Sequence, residues 1–147
     1  MKIETRDFGT IEIDEKDVLT FRQPIYGFEQ LTKYVILTDE EMRQDFIWLQ
    51  SLEDADTCFI LADPSLLDIE YHPVFPSRLR ELLGEGDGIC WCIVTIPAKF
   101  EKATVNLKSP VVVNPAQMCA AQVILEGDYP IRQPLMSGGE RKEKVKC

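Results

Sequence analysis

Apolar residues recur mostly at every second position, in short runs broken by turn residues, which is the period of strands rather than helices. Ile3 and Thr5, then Ile11 and Ile13, alternate with charged residues on either side of Phe8-Gly9-Thr10. This predicts a β-hairpin with one buried face. Val18 to Phe21 predicts a short strand that stops before Pro24. Tyr26-Gly27-Phe28-Glu29 predicts a turn opening one helical turn through Leu31. Tyr34 to Leu37 is a further strand, closed by the polar stretch Thr38 to Asp45. Phe46 to Gln50 and Cys58 to Ala62 follow, joined by the acidic loop Glu53-Asp54-Ala55-Asp56.

Only one segment carries a helical period. Leu79, Leu82 and Leu83 stand at i, i+3 and i+4, with Pro76 at the start and Gly84 just past the end, predicting one short helix over about 76–84. Gly84-Glu85-Gly86-Asp87-Gly88 reads as a flexible connector. Ile89 to Ile96 is a nearly continuous apolar strand stopped by Pro97. Ala103 to Leu107, Val111 to Val113 and Gln122 to Leu125 complete the set, with Lys108-Ser109-Pro110 as a turn. About nine short strands and one helix predict a mainly β fold, a small antiparallel β-barrel-like or sandwich domain spanning 1–136. Strands and helices do not alternate, which argues against a parallel α/β sheet. From Ser137 onward the residues are mostly Gly, Glu, Arg and Lys, so 137–147 is expected to be a disordered charged tail.

Composition narrows the function. The chain has 147 residues, a net charge of -9 and a single His. Residues 1–70 hold 17 acids and 6 bases, a balance of -11, whereas residues 71–147 hold 8 acids and 10 bases, a balance of +2. An acidic domain is a poor direct binder of nucleic acid, whose phosphates need Lys and Arg. It attracts a basic protein instead. One His cannot build a multi-His metal site. No apolar run reaches the roughly 20 residues that span a bilayer, so no membrane contact is expected. Met1 to Asp7 goes straight into alternation without a signal-peptide stretch. With five cysteines, an odd count, this predicts reduced thiols and a cytoplasmic chain.

Each constellation that could carry chemistry has a simpler structural reading. Cys90-Trp91-Cys92 puts both sulfurs on one strand face, but no second pair stands at zinc spacing, so buried small hydrophobes are expected. The glycines at 84, 86 and 88 follow a helix and precede a strand, the reverse of a phosphate-cradling loop. Glu53, Asp54 and Asp56 could act as paired carboxylates, although a solvated turn is the simpler account. His72 with nearby acids could serve a small hydrolase or a ligand-binding barrel, but no nucleophile elbow accompanies it. The residues thus point to a binding protein without catalytic residues, metal or cofactor.

A set of strings in order adds a resemblance. These are Gly27-Phe28-Glu29, Trp48-Leu49-Gln50-Ser51-Leu52-Glu53-Asp54, Asp63-Pro64, Val94-Thr95-Ile96-Pro97, Asn106-Leu107-Lys108-Ser109-Pro110-Val111-Val112-Val113-Asn114 and Gln122-Val123-Ile124-Leu125. Together, over roughly residues 1–135, they resemble the bacterial flagellar assembly factor FliW family. The chain departs from the family pattern at Pro24-Ile25-Tyr26-Gly27, where Gly-x-Pro-Gly is usual, and at Ala55, where Pro is common. The resemblance implies a small β-barrel-like fold, no enzymatic activity and two protein partners. One is flagellin; the other is CsrA, a basic dimeric RNA-binding protein that represses flagellin translation. Flagellin export would free the FliW-like protein to sequester CsrA and relieve that repression. In this reading the acids Glu53, Asp54 and Asp56 face CsrA. An edge or groove near Ile96, Pro97, Leu107 and Pro110, with Asn106 and Lys108 in the same string, receives the amphipathic ends of flagellin.

Overall fold

A computed structural model describes residues 1–39 and 45–135. The expected tail at 137–147 and most of the polar stretch at 40–44 lie outside the described residues. Strands β1 (Lys2–Glu4) and β2 (Thr10–Glu12) form the expected hairpin, with Ile3 opposite Ile11. The strands that follow are β3 (Val18–Gln23), β4 (Lys33–Leu37), β5 (Phe46–Ser51) and β6 (Cys58–Ala62). Helix α1 (Arg78–Leu83) leads to β7 (Ile89–Thr95), β8 (Thr104–Val105), β9 (Val111–Asn114), β10 (Cys119–Gln122) and β11 (Gln133–Pro134).

Seven strands close into a barrel in the order β3-β4-β5-β6-β7-β9-β10 and back to β3. The long strand β7 makes closure possible. Its first half pairs with β9 through Ile89–Val113, Cys90–Val112 and Trp91–Val111, and its second half pairs with β6 and β8. Pairing is antiparallel throughout except between β3 and β10, which run parallel. Closure removes the open edges that a flat sheet would expose.

Alternation sorts the side chains. Leu19, Phe21, Tyr34, Leu49, Leu61, Val111, Val113 and Ala120 fill the barrel interior. Val112, Cys119 and Ala121 point outward yet are also buried, because α1 lays Leu79 and Leu83 over them. Strands β9 and β10 are therefore buried on both faces and read as continuous small apolar runs. A six-residue helix is too short to persist alone. Burying the two leucines, at about 2 kcal/mol each, is what holds it. Cys92 joins a third cluster with Ala62, Val94, Val105 and Leu107 on the outer face of β7.

Three local expectations are corrected. The strand expected at Gln122–Leu125 lies instead at Cys119–Gln122, since a turn ending on Met118 at φ 49° starts the return early. Val123 and Leu125 still donate backbone hydrogen bonds to Pro110 and Lys108, which continues the pattern in looser form. Tyr26 to Leu31 forms two successive turns, through Phe28 N–H to the Ile25 carbonyl and Leu31 N–H to the Phe28 carbonyl, and no helix. The glycine-rich crossing is packed rather than a free connector: a Cβ on Gly88 would stand 2.7 Å from Val112 Cγ1.

Candidate functional site

The acidic loop owes its shape to the residues before it. Ser51 Oγ accepts hydrogen bonds from the Glu53 and Asp54 amides, each at 3.0 Å. Asp54 accepts from the Asp56 amide and the Thr57 hydroxyl. Glu53 Oε1 accepts from the Thr32 and Lys33 amides at 2.8 and 3.1 Å, pinning the loop to the start of β4. Buried Gln50 is the anchor. Its Nε2 donates to the Ser51, Ala55 and Thr57 carbonyls, and its Oε1 accepts the Arg6 amide at 3.0 Å. Phe8 then packs edge-on against Trp48 with ring centroids 5.6 Å apart. The Trp48–Asp54 string therefore fixes both the loop and the N-terminal hairpin, side by side. On these two neighbouring elements Glu4, Asp7, Glu12, Asp54 and Asp56 are exposed, Asp7 paired with Arg6 and Glu12 with the N-terminal ammonium, so among the described residues the acids of the loop carry the unpaired negative charge of this acidic region. Glu53 and Asp54 are also structural, because their carboxylates hold backbone amides. Asp56 makes no such carboxylate contact among the described residues.

A groove of about 520 Å³ opens beside this region. Its walls draw on three of the strings: Phe28, with Tyr26 just before its string, from the first turn, Asn106, Lys108 and Ser109 from the turn before β9, and Gln122 and Ile124 from the end of β10. Ile25, Phe59, Ile93 and Ile131 complete an almost wholly apolar lining. Gln122 joins the walls. Its Oε1 accepts the Tyr26 amide at 2.7 Å and its Nε2 donates to the Ser109 carbonyl at 3.1 Å. Glu29 closes the first turn by accepting the Gly27 amide at 2.9 Å; such amide bonds hold its carboxyl below the usual range. Tyr26 is 77%, Ile131 59% and Ile124 55% exposed. Large apolar side chains clustered in solvent mark an interaction surface more often than a core defect.

The predicted contact residues separate on this frame. Asn106 and Lys108 line the groove; Asn106 Oδ1 caps its turn by accepting the Lys108 and Ser109 amides, and Lys108 Nζ donates to the Gly127 carbonyl. Leu107 and Pro110 are core residues and offer no surface, because their turn points them inward. Ile96 and Pro97 are exposed beyond the end of β7 and do not line the groove. Tyr26, Phe28, Ile124 and Ile131 were not singled out from sequence. Two of them, Phe28 and Ile124, sit inside the quoted strings, and an apolar residue there that is missing from the core was the available signal.

His72 carries no catalytic arrangement. Its side chain is 82% exposed and, among the described residues, pairs with Glu70, itself 90% exposed, at 2.7 Å. Cys90 and Cys92 lie on the same face of β7 as expected. The hydrogen bond between them, with burial, pushes the Cys90 thiol up, which leaves it a poor nucleophile. Among the described residues no group of three or more His, Cys, Asp or Glu is placed to hold a metal, and no helix is long and apolar enough to cross a membrane.

Comparison with known proteins agrees with this geometry. The profile of the family described as FliW protein matches residues 2–135. A flagellar assembly factor FliW of Caldanaerobacter subterraneus subsp. tengcongensis is 36% identical over 140 residues, covering 92% of this chain and 93% of that protein. One of Syntrophus aciditrophicus is 38% identical over 144 residues, covering 95% and 90%. A crystal structure of a flagellar assembly factor FliW superposes with a TM-score of 0.83 at 34% identity, covering 92% of this chain and 96% of that one.

Proposed function

The chain belongs to the FliW protein family of flagellar assembly factors, and on that premise we propose that it is a cytoplasmic partner-switching regulator which binds flagellin and CsrA in turn. The family is one of regulatory factors and not of enzymes, so the reading of His72 as part of a hydrolase is set aside.

The observation that carries the proposal is the contact between the acidic region and the apolar groove. The segment from Ile25 to Lys33 runs from one to the other. Tyr26 and Phe28 line the groove, while the Thr32 and Lys33 amides bind Glu53 of the acidic loop. Phe28 also stacks edge-on against Phe59, the second residue of the strand that leaves that loop. The groove suits an amphipathic helix, whose apolar face would displace water from Tyr26, Phe28, Ile124 and Ile131. That matches the ends of flagellin. The acidic region suits the basic CsrA dimer, drawing it in by long-range attraction and holding negative charge near the path of its RNA. Because the two surfaces adjoin, a large partner on one crowds the other. That gives the negative coupling switching needs.

Association kinetics with CsrA across a salt series test the electrostatic arm. The rate should fall steeply with ionic strength, and Asp56→Lys should slow it without loss of stability. A rate indifferent to both would refute it. Glu53 and Asp54 are poor probes, because reversing them also releases backbone amides.

A further inference from the structure

A second cavity, of about 420 Å³, lies beneath α1 and shares no residue with the groove. Its walls are apolar: Phe75 and Pro76 before the helix, Leu79 and Leu83 on it, and Val112 of β9. Backbone of Gly84, Gly86 and Gly88 forms the remaining side. Glycine is needed there for close approach, as a Cβ on Gly86 would come within 2.8 Å of Asn114 Oδ1. Asn114 itself is fully engaged. Its Nδ2 donates to the Leu83 and Glu85 carbonyls and its Oδ1 accepts the Ala116 amide.

The charged side chain in this lining is Arg80. Its guanidinium makes no hydrogen bond or ion pair with another described residue. The neighbouring arginines are engaged: Arg78 donates to Gln23 Oε1 and Arg22 to the Leu82 carbonyl. The larger depression of about 710 Å³ on the far side of Phe75–Ser77 has Glu126 in its wall, which would repel an anion. Beneath α1 an apolar cavity and a guanidinium without a partner among the described residues meet.

Apolar walls favour replacing water by an apolar group, and a free guanidinium presents a planar fork that fits a carboxylate. We propose that this cavity is a binding site for a small amphiphilic monocarboxylate, with its apolar tail beneath α1 and its carboxylate at Arg80. The site goes beyond the two protein partners and does not depend on either.

The test is titration of the full 15N-labelled chain with sodium decanoate, followed by NMR. Saturable shifts are expected at Gly84, Gly86 and Gly88. Arg80→Glu, an exposed change, should weaken binding about tenfold, because attraction is replaced by repulsion. Ser77→Trp, which places a large ring at the mouth, should abolish it with the thermal midpoint kept. Decanol, with the tail but no carboxylate, should bind about tenfold more weakly and ignore Arg80→Glu. Shifts centred instead on Tyr26, Phe28 and Ile124, equal affinity of wild type and Arg80→Glu, or no saturable shift would each overturn the assignment.

Discussion

Gln50→Ala tests the claim that one buried amide holds the hairpin and the acidic loop together. The substitution removes an acceptor 3.0 Å from the Arg6 amide and the two N–H donors that reach the Ser51, Ala55 and Thr57 carbonyls at 3.0, 3.1 and 3.3 Å. Two donors and one acceptor make about three hydrogen bonds, each worth about 1 kcal/mol net. Water reaches the outer partners, which lowers the loss, while the deleted methylene raises it again. The expected destabilisation is about 3 kcal/mol, a large part of the stability of a domain this size. Urea unfolding should show a lower midpoint at unchanged slope. Amide exchange should show the protection of β1 and β2 falling more than that of β9 and β10, because the hairpin loses its Arg6 tether to Gln50 and relies more on packing such as that of Phe8 on Trp48. A loss below about 0.5 kcal/mol, or exchange unchanged in the hairpin, would refute the anchoring role.

Three other substitutions probe separate parts of the account. Gly88→Ala should cost about 1–3 kcal/mol by urea unfolding, since its Cβ meets Val112 Cγ1 at 2.7 Å; a neutral result would mean the crossing is slack. Tyr34→Phe should leave stability at neutral pH unchanged or higher, because the buried hydroxyl has no hydrogen-bond partner among the described residues. The same variant should shift alkaline unfolding. Burial, aided by the charge of Glu53, pushes the Tyr34 phenol up to about 12 from 10. A raised folded-state value contributes stability that is complete below pH 10 and lost as pH climbs toward 12. Tyr34→Phe should therefore unfold later in an alkaline titration followed by far-UV circular dichroism, and an identical curve would contradict this. Ile124→Asp, on a half-exposed site, should keep the fold and weaken flagellin binding at least tenfold; full binding would move that contact elsewhere.

The parts of the fold that local chemistry decides were legible in the sequence. The hairpin around Gly9, the strands from Val18 to Ala62 and the helix before Gly84 follow from alternation, capping and turn residues close in the chain. The closure by β7–β9 and the parallel β3–β10 pairing were not legible, since each joins segments far apart. The sequence signal for β10 starts three residues late because Ala120 and Ala121 carry little strand propensity, and they are small so that the barrel and α1 can close on both faces. The two-residue β11 exists only by pairing with β8. The site shows the same division. Negative charge on the loop was visible, but the binding of backbone amides by Glu53 and Asp54 was not. Leu107 and Pro110 are apolar like many contact residues, but a period cannot say which side of a turn faces inward; Asn106 and Lys108 beside them take the surface.

The most direct test of the account is a matched set of affinities for CsrA and flagellin, measured on wild type, Asp56→Lys and Ile124→Asp. Two adjoining but distinct surfaces predict a crossed result. Asp56→Lys should weaken CsrA and spare flagellin, Ile124→Asp should do the reverse, and on wild type each partner should lower the affinity for the other. Wild type binding neither partner, or both variants losing both partners together while still folded, would contradict it.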